Sequence, residues 1–172
     1  MRALVVFESM FGNTQRVAEA IGSGLRGDFD VEVVEAGSAR SDVAGIDLIV
    51  VGGPTHAWGM SRPMTRTSAG DRATQAGTRP VSSGIGIRDW LAALATSSGK
   101  TAAAAFDTAI RQTGWLPSGS AARGEAARLR EKGFRLIAAP EQFFVTGMNG
   151  PLVEGELERA KAWGEALASK MR

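Results

Sequence analysis

The stretch VVFESMFGNTQRVAEAI, Val5–Ile21, decides how this chain is read. Val5, Val6 and Phe7 make an apolar run of strand character, and Val17, Ala18 and Ile21 recur at helical spacing. Between them lie Ser9, Gly12, Asn13 and Thr14, which are small, hydroxylated or tolerant of unusual backbone angles. Strand, short polar loop and helix in succession set free backbone N–H groups and the positive end of a helix dipole at the carboxyl edge of a sheet. A phosphate placed there meets neutral donors: main-chain amides, the hydroxyls of Ser9 and Thr14, and the Asn13 amide. Each hydrogen bond to a charged oxygen contributes about 1.5–3 kcal/mol. Capping the helix needs only one Asn or Thr. Four such residues in six positions favour a phosphate site over a plain cap.

Outward from this stretch, apolar runs of strand length occur at Leu4–Phe7, Val31–Val34, Ile46–Val51, Thr101–Phe106 and Phe134–Ala138. Phe143–Val145 reads as a continuation of the last run beyond Pro140, which cannot donate to a central ladder. Helical patterns fill Thr14–Leu25, Ile87–Ala95, Ser120–Lys132 and Glu154–Lys170. Alternating strands and helices predict a parallel sheet covered on both faces. Ile46–Val51 is apolar but for Asp47, as suits a central strand. EAGSARSDVAG, between Val34 and Ile46, reads as a short helix or a loop, and residues 60–85 as an irregular arginine- and threonine-rich segment with one weak helix.

The 172 residues suffice for one domain, 1–172, with a core of its own. No cysteine is present, so disulfides and thiol chemistry are excluded, and the single histidine, His56, excludes a histidine metal cluster. No apolar run is of bilayer length, and the apolar start MRALVVFES is too short for a signal peptide. The expectation is a cytoplasmic protein without membrane insertion. A net charge of +2 gives no global field for nucleic acid.

Two segments imitate nucleotide-binding motifs. Gly22-Ser23-Gly24-Leu25-Arg26-Gly27 fits G-x-G-x-x-G, yet it closes a helix where the dinucleotide fingerprint opens one. Helix termination is the expected role of its glycines. SSGKT, Ser97–Thr101, has Leu94 where a P-loop has its first glycine, and it precedes a strand instead of following one.

The chain resembles the flavodoxin family. Ser9, Gly12 and Thr14 match that family's phosphate loop, T/S-x-T/S-G-x-T, after the first strand. GGPTHAWGMSRP, Gly52–Pro63, carries Trp58-Gly59 where the family has a flavin-facing loop. FDTAIRQTGW falls where its second flavin loop lies. The resemblance covers nearly the whole chain. It implies a flavodoxin-like α/β fold: a doubly wound five-stranded parallel sheet of order 2-1-3-4-5 with helices on both faces. It also implies FMN as cofactor, held by Ser9, Met10, Phe11, Gly12, Asn13 and Thr14, then Pro54, Thr55, His56, Ala57, Trp58 and Gly59, and finally Phe106, Asp107 and Thr108. These three groups follow strands one, three and four, where such sheets place their ligand crevice. In the family, a turn at the position of Gly59 presents a carbonyl to the flavin.

The departures bear on function. Phe11 replaces a hydroxyl residue, and Met60 stands where an acidic residue is common. The chain has no tyrosine to stack on the second flavin face, leaving Trp115 or Phe106 for that place. Family members that shuttle electrons are strongly acidic, and this chain is not. Asp107 reads either as a ligand contact or as a cap of the following turn, and His56 either as a structural loop residue or as a donor to the flavin. Arg62, Arg66, Arg72 and Arg79 read first as solvated charges, and otherwise as contacts for a nicotinamide phosphate or an acidic partner protein. Fewer acidic neighbours predict a less negative second flavin potential, lowered by Met60→Asp. Three functions remain: an FMN electron carrier serving a redox partner protein, an NAD(P)H-dependent FMN oxidoreductase reducing a small acceptor of quinone type, and a cofactor-free module. The carrier comes first, with no catalytic side chain and no metal assigned.

Overall fold

The computed structural model describes residues 1–56, 59–75, 77, 79–111 and 119–172. Strand β1 (Arg2–Phe7) is buried from Ala3 onward. It lies between β2 (Asp30–Glu35) and β3 (Leu48–His56), parallel to both. The apolar β3 is central, as its composition predicts, and its other neighbour is β5 (Ala102–Ile110). β4 (Gly59–Met60) folds back on the end of β3 as an antiparallel pair, Thr55 opposite Met60 and His56 opposite Gly59.

The fifth strand of the expected sheet is present in two pieces. β6 (Arg135–Leu136) pairs with Ala102 and Ala103, and β7 (Glu141–Val145) pairs with Phe106–Ile110 of the same neighbour. Pro140 stands in the gap, where its missing N–H interrupts the ladder. With the β4 hairpin set aside and β6 and β7 read as one edge, the order β2-β1-β3-β5-β6/β7 is the expected 2-1-3-4-5 of five parallel strands.

Side chains alternate across the strands and separate two cores. Leu4 and Val6, Ile49 and Val51, Ala103 and Ala105 face the core shared with α3 (Ile87–Ala93) and α4 (Ala121–Glu131). Ala3, Val5 and Phe7, Leu48 and Val50, Ala104 and Phe106 face the core shared with α1 (Asn13–Leu25) and α5 (Glu156–Ser169). Helices therefore cover both faces.

One expectation changes and two open readings are decided. α1 runs through Gly22 and Gly24 to Leu25, so these glycines do not stop it. A Cβ on Gly24 would lie 2.1 Å from the Lys161 carbonyl oxygen, and one on Gly164 would lie 2.4 Å from that of Ile21. The glycines let α1 and α5 touch backbone to backbone. Residues 36–47 form a loop with turns, the second of the two readings of that segment. The weak helix within residues 60–85 is α2 (Pro63–Gln75), a polar helix that buries only Ala69 and Ala73. Among the described residues no helix is long and apolar enough to cross a membrane.

Candidate functional site

β1 delivers the chain to Ser9 at the carboxyl edge of the sheet, and the loop then turns at Gly12 with φ 84°. That left-handed conformation costs an L side chain about 1–2 kcal/mol and suits glycine. Gly12 is the N-cap of α1, and no side chain caps the helix. Asn13 and Thr14 are thus its first residues and not its caps. Among the described residues the amides of Asn13, Thr14 and Gln15 have no acceptor, while Arg16 N–H closes the first turn on Gly12 O. Three donors and the helix dipole point out of the N-terminus together.

The side chains of this loop are already organised. Ser9 Oγ is buried and accepts the Gly12 N–H at 3.1 Å. Asn13 Nδ2 donates to Asn149 O at 3.2 Å, while Thr14 and Thr108 pair through their hydroxyls at 2.7 Å. Residues far along the chain brace the loop: Ser9 N–H donates to Ser82 Oγ, Ser82 N–H to Ser9 O, and Val81 N–H to Met10 O. Nothing local in the sequence announces this clamp.

The helix end opens into a cleft of about 510 Å³, a volume in the range of small-molecule sites. Of the residues singled out from the sequence, Ser9, Met10, Phe11, Asn13, Thr14, Pro54, Thr55, His56 and Thr108 line it. Gly12, the turn between Phe11 and Asn13, is not part of the lining. Ala57, Trp58 and Trp115 lie outside the described residues.

Phe106 and Asp107 lie beneath the cleft. The Phe106 ring crosses Gly52, where a Cβ would approach it to 2.3 Å, and it meets Phe143 and Trp163 edge-on at 6.2 and 6.4 Å. Phe106 is a core aromatic and gives no flavin face. Asp107 is buried, with Oδ2 accepting from Thr55 Oγ1 (3.1 Å), Ser120 Oγ (2.7 Å) and Ala122 N–H (3.0 Å). It anchors the start of α4 from across the sheet, a role that neither reading of the sequence contained. Gly59 is paired in β4 outside the cleft lining. Met60 is buried against α4, its Cε 3.1 Å from where a Gly124 Cβ would be. It points away from the cleft, so Met60→Asp would bury an unpaired carboxylate rather than tune a ligand.

α2 supplies a wall that the sequence reading left empty. Met64, Thr65, Ser68 and Arg72 line the cleft from it, opposite Ile110, Val145 and Met148. An apolar stripe would have revealed the helix, and it has none. Arg72 is therefore a cleft residue, and its Nη1 lies 3.6 Å from Met148 Sδ. Arg66 is not a solvated charge either: Nη2 pairs with Asp89 Oδ2 at 2.8 Å, and its side chain is 14% exposed. Burial, then the Arg66 charge, push the His56 imidazole below its usual range against a hydrogen bond with the Thr65 backbone, and Arg72 pushes the same way. His56 is a neutral group at the cleft wall.

No protein-family model and no curated protein matches the chain. Solved structures do. A flavodoxin from the domain Archaea superposes with TM-score 0.65 at 22% identity, covering 99% of each chain. Flavodoxin 2 from Bacillus cereus gives 0.69 at 20% identity, again over 99% of each chain. A flavodoxin, WrbA-like protein from Agrobacterium tumefaciens gives 0.59 at 17%, over 99% of this chain and 97% of that one. The architecture is the flavodoxin-like α/β fold, with a ligand-sized cleft at its strand carboxyl ends.

Proposed function

We propose that this chain binds FMN in the cleft and serves electron transfer. The observation that carries the reading is the Gly12 turn, which leaves the amides of Asn13, Thr14 and Gln15 free at the end of α1. The donor set fits a phosphate monoester: three amides, one hydroxyl proton left over by the Thr14–Thr108 pair, and a helix dipole without a competing side-chain cap. When bound, the flavin supplies the one- and two-electron redox chemistry. The chain's own residues hold and orient it: Pro54, Thr55 and His56 from one side, Thr108 from the other, Met10 and Phe11 beside the phosphate loop. The His56 ring N–H is engaged with the Thr65 backbone, which holds the imidazole in place at the cleft wall. Its electron partner is a redox protein or a small acceptor.

One observation favours the second reading, an NAD(P)H-dependent FMN oxidoreductase. Arg72 places a cation in the cleft wall, where a nicotinamide nucleotide's phosphates would meet it.

The visible spectrum of the purified protein, followed by NADPH under anaerobic conditions, tests both. A yellow protein indifferent to NADPH supports the carrier, and rapid bleaching supports the oxidoreductase. A colourless protein that ignores added FMN overturns both.

A further inference from the structure

On the α3/α4 side of the sheet, directly below the cleft, three carboxyl groups converge. Glu8 follows β1, and its N–H donates to Gly52 O at 2.9 Å. Gly53 pairs with Asp107 across β3 and β5. Glu8, Gly53 and Asp107 thus form one row across three strands, and strand alternation turns the row towards α4. Glu125 comes down from α4 onto its middle: a Cβ on Gly53 would lie 3.2 Å from Glu125 Oε1 and 3.8 Å from Glu8 Cβ. The glycine leaves the space that the third carboxyl group occupies.

All three side chains are buried. Glu8 Oε2 accepts from Ser61 Oγ at 2.7 Å and from Ile87 N–H at 2.8 Å, and Asp107 Oδ2 is satisfied by its three donors. Glu8 Oε1, Asp107 Oδ1 and both oxygens of Glu125 have no partner among the described residues. Three bare carboxylates this close, out of water, are untenable without compensation. The neighbouring charges do not supply enough. From α2, Arg66 faces Glu8 but is ion-paired with Asp89 of α3, and His56 beyond it is neutral. Arg88 of α3 gives its guanidinium to the carbonyls of Met60 and Ser61. β3 offers only Gly53 and the Thr55 hydroxyl, β7 adds the neutral Gln142 side chain as a donor to the Asp107 carboxyl, and no group of metal-ligating side chains is present among the described residues. The compensation left is a proton.

We propose that Glu8, Asp107 and Glu125 form a shared proton-binding site, holding a proton at neutral pH and linked to the cleft through the Thr55 hydroxyl. Burial raises Glu125 well above the carboxylate range, and the charges of Asp107 and Glu8 raise it further. Burial raises Glu8 and Asp107 as well, against their hydrogen bonds. Glu125 as a carboxylic acid has one O–H to give to Glu8 Oε1 or Asp107 Oδ1. Thr55 lines the cleft, donates to Asp107 Oδ2 and accepts the Ala121 N–H at 2.9 Å. Negative charge arriving above Thr55 makes a second proton more favourable. That proton comes from solvent, adds to a carboxylate oxygen of Glu8 or Asp107, and moves no electron. The link to the cleft rests on the FMN reading; the proton site does not.

Infrared spectroscopy of the flavin-free full-length chain at neutral pH tests the site. A protonated-carboxyl C=O band is expected in the native protein and absent in Glu125→Gln, a neutral isostere that keeps the packing. No such band, or the same band in Glu125→Gln, overturns the proton site. Calorimetry of FMN binding in two buffers of different ionisation enthalpy tests the link. Net proton uptake is expected in the native protein, and reduced uptake in Thr55→Val with the infrared band kept. FMN binding without uptake overturns the link, and failure of FMN to bind removes the link and the proposed function together while the infrared result still decides the site.

Discussion

Thr14 Oγ1 and Thr108 Oγ1 stand 2.7 Å apart and join the first turn of α1 to the far part of β5. One of the two hydroxyls donates within the pair, so the other proton is free for a ligand oxygen. Thr14→Val keeps the shape and removes the hydroxyl. It should cost about 1 kcal/mol of stability. FMN affinity should fall roughly tenfold or more, the equivalent of one charge-assisted hydrogen bond. Denaturant unfolding and flavin fluorescence read the two effects separately. Thr14→Val and Thr108→Val together should cost less than the sum of the single variants, because they remove one shared contact.

Riboflavin should bind far more weakly than FMN, by a few orders of magnitude, because several charge-assisted bonds at the end of α1 need a phosphate. Equal affinities in a fluorescence titration would place the ligand elsewhere in the cleft.

At Gly12 a Cβ would touch nothing within 4 Å, so a substitution there isolates backbone conformation. Gly12→Ala should destabilise by about 1–2 kcal/mol, and Gly12→Asn by less, since asparagine tolerates the left-handed region. Urea midpoints measure the difference. Equal midpoints for native and Gly12→Ala chains would contradict the turn.

The α1–α5 contact makes a sharper steric prediction. Gly164→Ala would put a methyl 2.4 Å from the Ile21 carbonyl oxygen, so the helices must part. The loss should reach about 1–3 kcal/mol or more. Gly27→Ala, with open space around it, should be neutral or slightly stabilising. Thermal unfolding of the two variants side by side checks the contrast.

These cases show which parts of the molecule a linear reading reaches. The strand–loop–helix around Ser9 to Thr14 was legible because both flanks carry strong apolar periodicity and the loop chemistry is local. The split edge strand was legible because Pro140 cannot hydrogen-bond there. Gly24 was misread because termination is a local property, whereas its neighbour Lys161 comes from α5. α2 was faint because a helix burying only two alanines leaves almost no hydrophobic pattern. Phe106 and Met60 were assigned by position in a resemblance, but strand alternation and the β4 hairpin turn both inward. Asp107 reads in the sequence as a ligand contact or a cap, and Glu125 has no reading at all: strand register sets Glu8 and Asp107 in one row, and only the packing of α4 brings Glu125 onto it.

Stability should depend on pH through two carboxyl groups of opposite sign. Burial alone would raise Glu156, but the Arg159 hydrogen bond and the Phe144 N–H outweigh it and hold it below its ordinary 4.5. Its contribution is present above that value and lost as pH falls through the lowered one. Glu125 is raised, so its contribution is full below 4.5 and lost as pH rises towards its folded value. Glu156→Gln should flatten only the acid side of a Tm–pH curve, and Glu125→Gln only the side above pH 4.5. An unchanged slope in either variant refutes that half.

The glycine-mediated seam between α1 and α5 also bears on how the protein folds. α1 precedes most of the sheet in the chain and α5 follows all of it, so Gly24 and Gly164 join segments far apart in sequence. Contacts of such long sequence separation form late and slowly. The seam is therefore among the last contacts to close, and Gly164→Ala should speed unfolding more than it slows folding.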